Sequence, residues 1–415
     1  MTPGSRREYA FLRAMIFAIT TLGCKVNQYE SQLLREALAA HGHREQPFGR
    51  PGVELSIVNT CTVTHRSDAQ ARNLLRRALA LGGRVIATGC QAKVYGEALQ
   101  ALSPAVEVIP FEDIGLALNI QMPSRITGFC GHSRAFVNIQ QGCGNFCTYC
   151  IVPHARGLPR SRPWQEIIGE IAGLYAAGFR EIVLSGINIG LYEGGLAALL
   201  EKILKKTPMP AVRISSIEPW TLTDELLCLA VEEPRVCRHL HIPVQSGSDA
   251  ILSRMGRPYD TRHFRSLVER VKALDPGVSI GTDVMVGFPG EGDNEFGQTR
   301  SLLEEADISY LHVFPYSPRP GTPAADWGST MDARAVKERV TLLRELSGRK
   351  REAFVRSRIG REEDLLVTRA GRDSLGGVTS NYLTVEAKGK ARVNDRVSVI
   401  LEEPCQGYVR GRTIG

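Results

Sequence analysis

Cys143, Cys147 and Cys150 stand in the string GCGNFCTYC and offer three thiolates from one short loop. A cubane 4Fe–4S cluster has four irons, each needing an outside ligand. Three protein thiolates therefore leave one iron open, and an open metal position is where chemistry takes place. A structural zinc site is the competing reading of such a loop, with His132 or His154 as the fourth ligand. Three more cysteines, Cys24, Cys61 and Cys90, lie far apart in the chain, yet each closes a short apolar run. Core cysteines are common, so one such position means little. Three at equivalent places point to a second cluster.

The elements that must position these residues fall into three segments. Residues 15–125 alternate apolar runs with helical stretches. MIFAITTLG, ELSIVNT, RVIATG and VEVIP read as buried strands; Ser31 to Ala40, Ala69 to Leu81 and Val94 to Ala101 carry helical periodicity. Alternation of this kind predicts an α/β domain with a parallel sheet. The three cysteines would then share the C-terminal edge of the sheet, where open α/β folds bind ligands. Residues 130–347 repeat strand and helix about six times. The strands are AFVNIQ, EIVLSGI, VRISSIE, HLHIPVQ, GVSIGTDVMVGF and ISYLHVFPYS, and helices such as Trp164 to Ala177 and Asp260 to Ala273 follow them. Asn188, Glu218, Gln245, Asp283 and Tyr316 recur where strands end, the active-site face of a βα barrel. Six units predict a partial (β/α)6 barrel, open enough for a large substrate. Residues 349–415 turn β-prone in EDLLVTR, GVTSNYLTVEAK, DRVSVILEE and GYVRGRTI. This predicts a small antiparallel β-barrel of OB-like type, a fold that commonly binds oligonucleotides. Basic strands carrying Tyr382 and Tyr408 suit an RNA surface.

Composition sets the frame. The chain has 415 residues with 43% hydrophobic content, ordinary for a globular protein of two or three domains. No run is long enough for a membrane span. The opening basic residues lead into AMIFAITTLG, which reads as a first strand rather than a secretion signal. A cytoplasmic protein is expected, with no membrane partner, and ten cysteines there point to metal rather than disulfides. The net charge is +7. From Arg349 onward 14 Lys/Arg stand against 9 Asp/Glu, so most of the excess lies in the β-prone tail. That favours an anionic partner, although a solvated basic surface has the same composition.

With these residues in place, the chain resembles the methylthiotransferases of the radical S-adenosylmethionine (SAM) superfamily. The resemblance runs nearly end to end. It rests on TLGCKVNQYES, NTCTVT, ATGCQA, GCGNFCTYC, HLHIPVQSGSD, TDVMVGFPGE and FPYSPRPGT. It implies an N-terminal domain with an auxiliary 4Fe–4S cluster on Cys24, Cys61 and Cys90. It implies a radical SAM barrel whose 4Fe–4S cluster sits on Cys143, Cys147 and Cys150, and a C-terminal RNA-binding barrel called TRAM. In that family the open iron chelates SAM, and one electron releases a 5′-deoxyadenosyl radical. A second SAM donates the methyl group of the inserted methylthio. The resemblance further implies a flavodoxin- or ferredoxin-type electron donor and a sulfur source. TLGCKVNQYES is similar to the subgroup acting on N6-threonylcarbamoyladenosine beside the anticodon of transfer RNA. The isopentenyladenosine subgroup reads GCQMN there, and the subgroup acting on a ribosomal protein aspartate reads GCPKN. Those two substrates stay as alternatives. Gly292, Ser185 and His154 depart from the common family pattern.

The resemblance also marks positions for SAM. Tyr149 matches an aromatic position near adenine; its other reading is a core aromatic. Gly186 and Asn188 match the amino-group site. Glu218, Gln245 and Asp283 are contacts to ribose or substrate, or else hydrogen bonds of the fold. Arg156, Arg160 and Arg162 are read as grips on a SAM carboxylate or an RNA phosphate, against a solvated basic loop. Cys130, Cys228, Cys237 and Cys405 are read as structural. An iron–sulfur electron carrier would show four cysteines per cluster, and it leaves the six-unit barrel unexplained. An RNA-binding module with structural metal would form no 5′-deoxyadenosine.

Overall fold

The computed structural model describes residues 14–328 and 331–414. The opening basic residues Arg6, Arg7 and Arg13 lie outside the described residues. The chain divides into two compact units. One comprises residues 14–23, 30–62 and 66–124; the other holds residues 24–29, 63–65 and everything from Arg125 on.

The first unit is a parallel sheet with helices. Its elements run β1 (Ile16–Thr21), α1 (Lys25–Ala40), β2 (Arg44–Glu45), β3 (Leu55–Thr60), α2 (His65–Leu81), β4 (Arg84–Gly89), α3 (Cys90–Val94), α4 (Gly96–Gln100), β5 (Val106–Val108) and α5 (Ile114–Leu118). The sheet order is β2-β1-β3-β4-β5 with every pair parallel. Successive strand residues point to opposite faces. Ile57 and Ile86 therefore enter one core with Phe17, Leu38 and Ile114, while Val58 and Ala87 enter the other with Leu75 and Leu99. That double burial is why these strands read as continuous apolar runs. Strand order reverses between β1 and β3, the switch point where open α/β folds take ligands.

Two helices begin earlier than their periodicity suggests. The α1 helix starts at Lys25 rather than Ser31, because Val26 and Tyr29 continue the buried stripe of Leu34, Ala37 and Leu38. The α2 helix starts at His65 rather than Ala69. The expected helix from Val94 to Ala101 is instead two short helices meeting at Tyr95, whose φ of −128° leaves the helical range. Each of Cys24, Cys61 and Cys90 thus falls between a strand and the helix that follows it, or opens that helix.

The second unit contains all six expected parallel strands. They are β6 (Ala135–Gln141), then β8 (Glu181–Gly186), β9 (Ala211–Ile214), β10 (His239–His241), β11 (Ser279–Val286) and β12 (Tyr310–Pro315). A short β7 (Arg160–Ser161), not foreseen in the sequence, pairs antiparallel with β6. Between the strands run α6 (Val152–Arg156), α7 (Trp164–Ala176), α8 (Leu196–Lys206), α9 (Asp224–Glu232), α10 (Asp249–Arg254), α11 (Thr261–Leu274) and α12 (Asp293–Glu305). The Asp260 carboxylate caps α11 by accepting from His263 N at 2.8 Å. The ladder runs β7-β6-β8-β9 and resumes as β10-β11-β12. Across the break, Ile217 N donates to His241 O at 2.9 Å and Val212 bridges Val236. β10 stops early because Pro243 has no N–H to give a ladder.

The 26-residue helix α13 (Ala333–Arg358) follows and runs straight through residue 348. Its end carries Phe354 and Val355 into the core of a closed barrel. That barrel consists of β13 (Glu362–Ala370), β14 (Ser374–Thr379), β15 (Thr384–Lys388), β16 (Arg396–Pro404) and β17 (Val409–Thr413), closing in the order β13-β14-β15-β17-β16. Four of its pairings are antiparallel; β15 and β17 pair parallel. GVTSNYLTVEAK is not one strand. Thr379 turns the chain there: its Oγ1 accepts from Leu383 N at 2.9 Å, and Tyr382 takes φ 70°.

Candidate active site

The loop after β6 carries Cys143, Cys147 and Cys150, and neighbours on both sides fix its path. Cys143 N donates to Gly157 O at 3.0 Å, Thr148 N to Met255 O at 3.0 Å and Cys150 N to Cys147 O at 2.9 Å. Gly142 enters the loop at φ 76°, and a Cβ there would stand 2.0 Å from Leu158 O. Only glycine suits both the conformation and the approach. The three thiols lie close enough to perturb one another. Burial pushes the Cys150 thiol up to about 12. Burial also raises Cys147, and the Arg257 guanidinium opposes it.

Arg257 is the residue that sequence reasoning missed. It is 7% exposed, and its Nη1 donates to Cys147 Sγ at 3.4 Å and to Glu218 Oε1 at 3.3 Å. Its Nη2 pairs with Glu218 Oε2, and its guanidinium lies 4.7 Å from the Trp220 ring centroid. One side chain therefore ties the cysteine loop to the end of β9. Burial raises the Glu218 carboxyl, and Arg257 is the chief group opposing that rise.

The other marked residues lie at the strand ends. Gly186 ends β8, and a Cβ on it would meet Gln140 O at 2.8 Å. Asn188 N donates to Gln140 Oε1 at 2.8 Å, and its Nδ2 lies 3.9 Å from Cys143 Sγ. Gln245 takes φ 65°, an αL value uncommon outside glycine, in the turn after β10. Asn188 Oδ1 and Gln245 Oε1 are buried with no hydrogen-bond partner among the described residues. Tyr149 packs edge-on to Phe288, centroids 6.2 Å apart, beside Tyr316 and Met285. Burial is the chief reason its hydroxyl is held far above the ordinary value.

Asp283 faces a different space. A cavity of about 320 Å³ occupies the lumen, bordered by all six parallel strands through residues such as Phe136, Val183, Arg213, His241, Asp283 and His312. His241 Nδ1 is 2.9 Å from Ser216 Oγ, and its Nε2 is 3.3 Å from Asp283 Oδ1 without hydrogen-bond geometry. Lys25 and Tyr382 complete the lining. The Lys25 ammonium makes no hydrogen bond or ion pair among the described residues; Arg134, Arg213 and Asp283 are charged neighbours in the cavity.

Tyr382 does not offer its ring as an open RNA platform. It stacks on His239 at 4.4 Å between the guanidiniums of Arg134 and Arg213, which lie 5.8 and 5.3 Å from its centroid. Nor is Arg162 a spare cation: it donates to Glu170 Oε2 at 2.7 Å and to Asn138 O at 2.8 Å. Arg156 donates to Asn27 Oδ1 at 2.6 Å, whereas Arg160 is exposed on β7. Cys237 is buried; Cys130 and Cys228 are exposed, and Cys405 is half-buried.

Cys61 follows β3 directly, Cys90 follows β4 directly and Cys24 comes three residues after β1. Those strands are neighbours in one parallel sheet, so their ends share an edge. Among the described residues no three His, Cys, Asp or Glu side chains are grouped as a single-ion site requires. A zinc site needs its ligands about 2.0–2.3 Å from one point. A cubane takes each thiolate on a different iron, so its sulfurs stand apart. Of the two histidines, His132 packs on Phe129 and Phe136, and His154 meets Phe146 of the cysteine loop edge-on.

Comparison with known proteins turns this arrangement into an assignment. Residues 137–303 match the radical SAM superfamily, and residues 16–110 match the uncharacterized protein family UPF0004. The threonylcarbamoyladenosine tRNA methylthiotransferase MtaB of Bacillus subtilis is 34% identical over 408 residues, 90% of each chain. The chain belongs to the radical SAM methylthiotransferase family. A second kind of family member, the tRNA-2-methylthio-N(6)-dimethylallyladenosine synthase of Novosphingobium aromaticivorans, is 29% identical over 95% of this chain and 97% of its own. Among solved structures, the radical SAM methyltransferase TsrM of Kitasatospora setae aligns with a TM-score of 0.54 over 75% of this chain and 77% of its own. At 14% identity that likeness carries the fold alone.

As a radical SAM methylthiotransferase the protein is an enzyme that uses SAM and 4Fe–4S clusters. Its cysteine loop offers three free thiols near one another, the donor set that a cubane with one open iron takes. A buried amide oxygen without a partner among the described residues, on Asn188, whose Nδ2 approaches Cys143, fits a polar ligand beside that loop; Gln245 has another, in the turn after β10.

Proposed function

We propose that the protein adds a methylthio group to C2 of N6-threonylcarbamoyladenosine next to the anticodon of transfer RNA. The observation that carries this reading is the match over 90% of both chains to a relative of that name. Relatives bearing it are 32–36% identical, against 29–30% for those named for dimethylallyladenosine.

In this reading Cys143, Cys147 and Cys150 hold one cluster, and Cys24, Cys61 and Cys90 hold the auxiliary one. When bound, clusters and SAM supply the one-electron chemistry that opens a C–H bond too weakly acidic for side-chain bases. The chain's own residues bind and orient. Gly186 leaves room for the SAM amino group, and Asn188 and Gln245 offer their open carbonyls to it. Glu218, held by Arg257, takes a ribose hydroxyl, and Tyr149 closes the adenine side. The adenosine lies in a loop, where splaying a base out costs less than in a duplex. A flavodoxin- or ferredoxin-type protein supplies electrons, a separate source replaces the sulfur, and the reaction belongs in the cytoplasm.

The test gives anaerobically reconstituted enzyme transfer RNAs carrying either N6-threonylcarbamoyladenosine or isopentenyladenosine, followed by nucleoside mass spectrometry. A methylthio mark on the first is expected; a mark on isopentenyladenosine alone refutes the substrate.

A further inference from the structure

We propose that the lumen cavity seats the N6 substituent of the target adenosine and that Lys25 pairs with its carboxylate. The inference rests on the threonylcarbamoyl reading above and deepens it to a residue. Arg156 and Arg160, read from the sequence as grips on a SAM carboxylate or an RNA phosphate, are not placed for this group. Arg156 already donates to Asn27 Oδ1, and neither arginine lines the cavity.

The charge pattern argues for an absent anion. Arg213 is fully engaged: Nε donates to Glu181 Oε1 at 2.8 Å, and its two terminal nitrogens donate to the carbonyls of Ser380 and Thr379. Arg134 lies 3.7 Å from the same carboxylate. Asp283 stands 3.3 Å from His241. Lys25 lines the cavity with no hydrogen bond or ion pair among the described residues; Asp283 lines the same cavity and acts on it from beyond ion-pair distance. Half-buried charges are ordinarily paired, because desolvation is otherwise uncompensated.

The uncharged lining fits the remainder of such a group. His241 is 8% exposed and lines the cavity, and its Nε2 has no hydrogen-bond partner among the described residues. Ser216, bonded to the other nitrogen of that ring, lies on the same wall. A hydroxyl and a ureido N–H give these atoms partners. About 320 Å³ is at the low end of ligand pockets, a size for a substituent rather than a whole nucleotide. An apolar isopentenyl group would leave Lys25 and His241 unpaired, which is how a polar site rejects an apolar analogue.

The experiment uses reconstituted holoenzyme and two anticodon stem-loops. One carries N6-threonylcarbamoyladenosine, the other its uncharged threoninamide analogue. Binding is read by fluorescence anisotropy, conversion by single-turnover mass spectrometry and cluster content by iron analysis. Wild type is expected to favour the carboxylate form by about tenfold or more, the scale of one hydrogen bond to a charged group. Lys25→Gln should erase that preference with iron content unchanged, and Lys25→Arg should restore part of it. A Lys25→Gln enzyme that keeps the acid-over-amide ratio overturns the proposal and leaves the substrate reading standing. Equal losses on both RNAs together with lost iron also overturn it, and place Lys25 in service of Cys24. Should wild type bind and convert neither form, the substrate reading fails first and the proposal with it.

Discussion

Arg257 illustrates how one side chain can organise a site from a distance. It sits 110 positions beyond Cys147, yet it donates to that sulfur and forks onto Glu218. Removing it leaves a half-buried carboxylate alone, a loss of about 1–3 kcal/mol, the scale of a desolvated group left without its partner. Arg257→Leu should therefore lower the urea midpoint and abolish SAM cleavage together. The pair Arg257→Leu with Glu218→Leu removes both charges; it should recover most of the stability and none of the cleavage. Arg257→Lys keeps the charge but cannot fork across two oxygens, so it should fall between. If the double variant regained cleavage, Glu218 would have no part in holding SAM. Nothing in RMGRPYD signals this role, because the contact forms only when α10 and the cysteine loop meet. GCGNFCTYC, by contrast, holds its three cysteines within eight residues, so their grouping is visible in the sequence itself.

At the scale of elements, the six parallel strands were legible because five of them are buried almost throughout, and in β12, which exposes His312 and Pro315, apolar residues still alternate. The docking of β9 against the turn from β14 to β15 was not. It depends on Glu181, at the start of β8, whose carboxylate is 0% exposed and lies among Arg213, Arg134 and Arg396. Burial alone would raise that carboxyl; Arg213 first, then Arg134 and Arg396, bring it below the ordinary carboxylate range. A depressed carboxyl stabilises fully above its unfolded value, and that contribution fades as pH falls through the folded one. Thermal unfolding of wild type should accordingly steepen with acid below the ordinary carboxylate range, and Glu181→Gln should flatten that part of the profile. At neutral pH the substitution should cost about 3–5 kcal/mol, because it strands Arg213. Identical pH profiles for the two proteins would show that the cluster carries no linkage. Tyr382 belongs to the same junction. An exposed aromatic on a basic strand and a stacked aromatic at a joint have the same local sequence, and only the φ of 70° in its turn separates them.

For the whole molecule, the excess of positive charge in the last segment should act on nucleic acid once the engaged arginines are set aside. Lys388 and Arg392 are exposed beside the β15–β16 turn. Replacing both by Ala should weaken transfer RNA binding and reduce the salt slope by about one per lost phosphate contact, without changing SAM cleavage in the absence of RNA. An unchanged slope would move the RNA grip elsewhere. The helix α13 gives that grip a geometric meaning. Twenty-six residues at about 1.5 Å each make a rod about 39 Å long, rooted beside β12 and ending in the core of the last barrel. Arg213 and Tyr382 tie the same barrel to the strands from a second side. With RNA held on that barrel, a rod anchored at both ends would make the enzyme a calliper, set to accept the nucleotide at one fixed reach and to pass over its neighbours for their position rather than their chemistry.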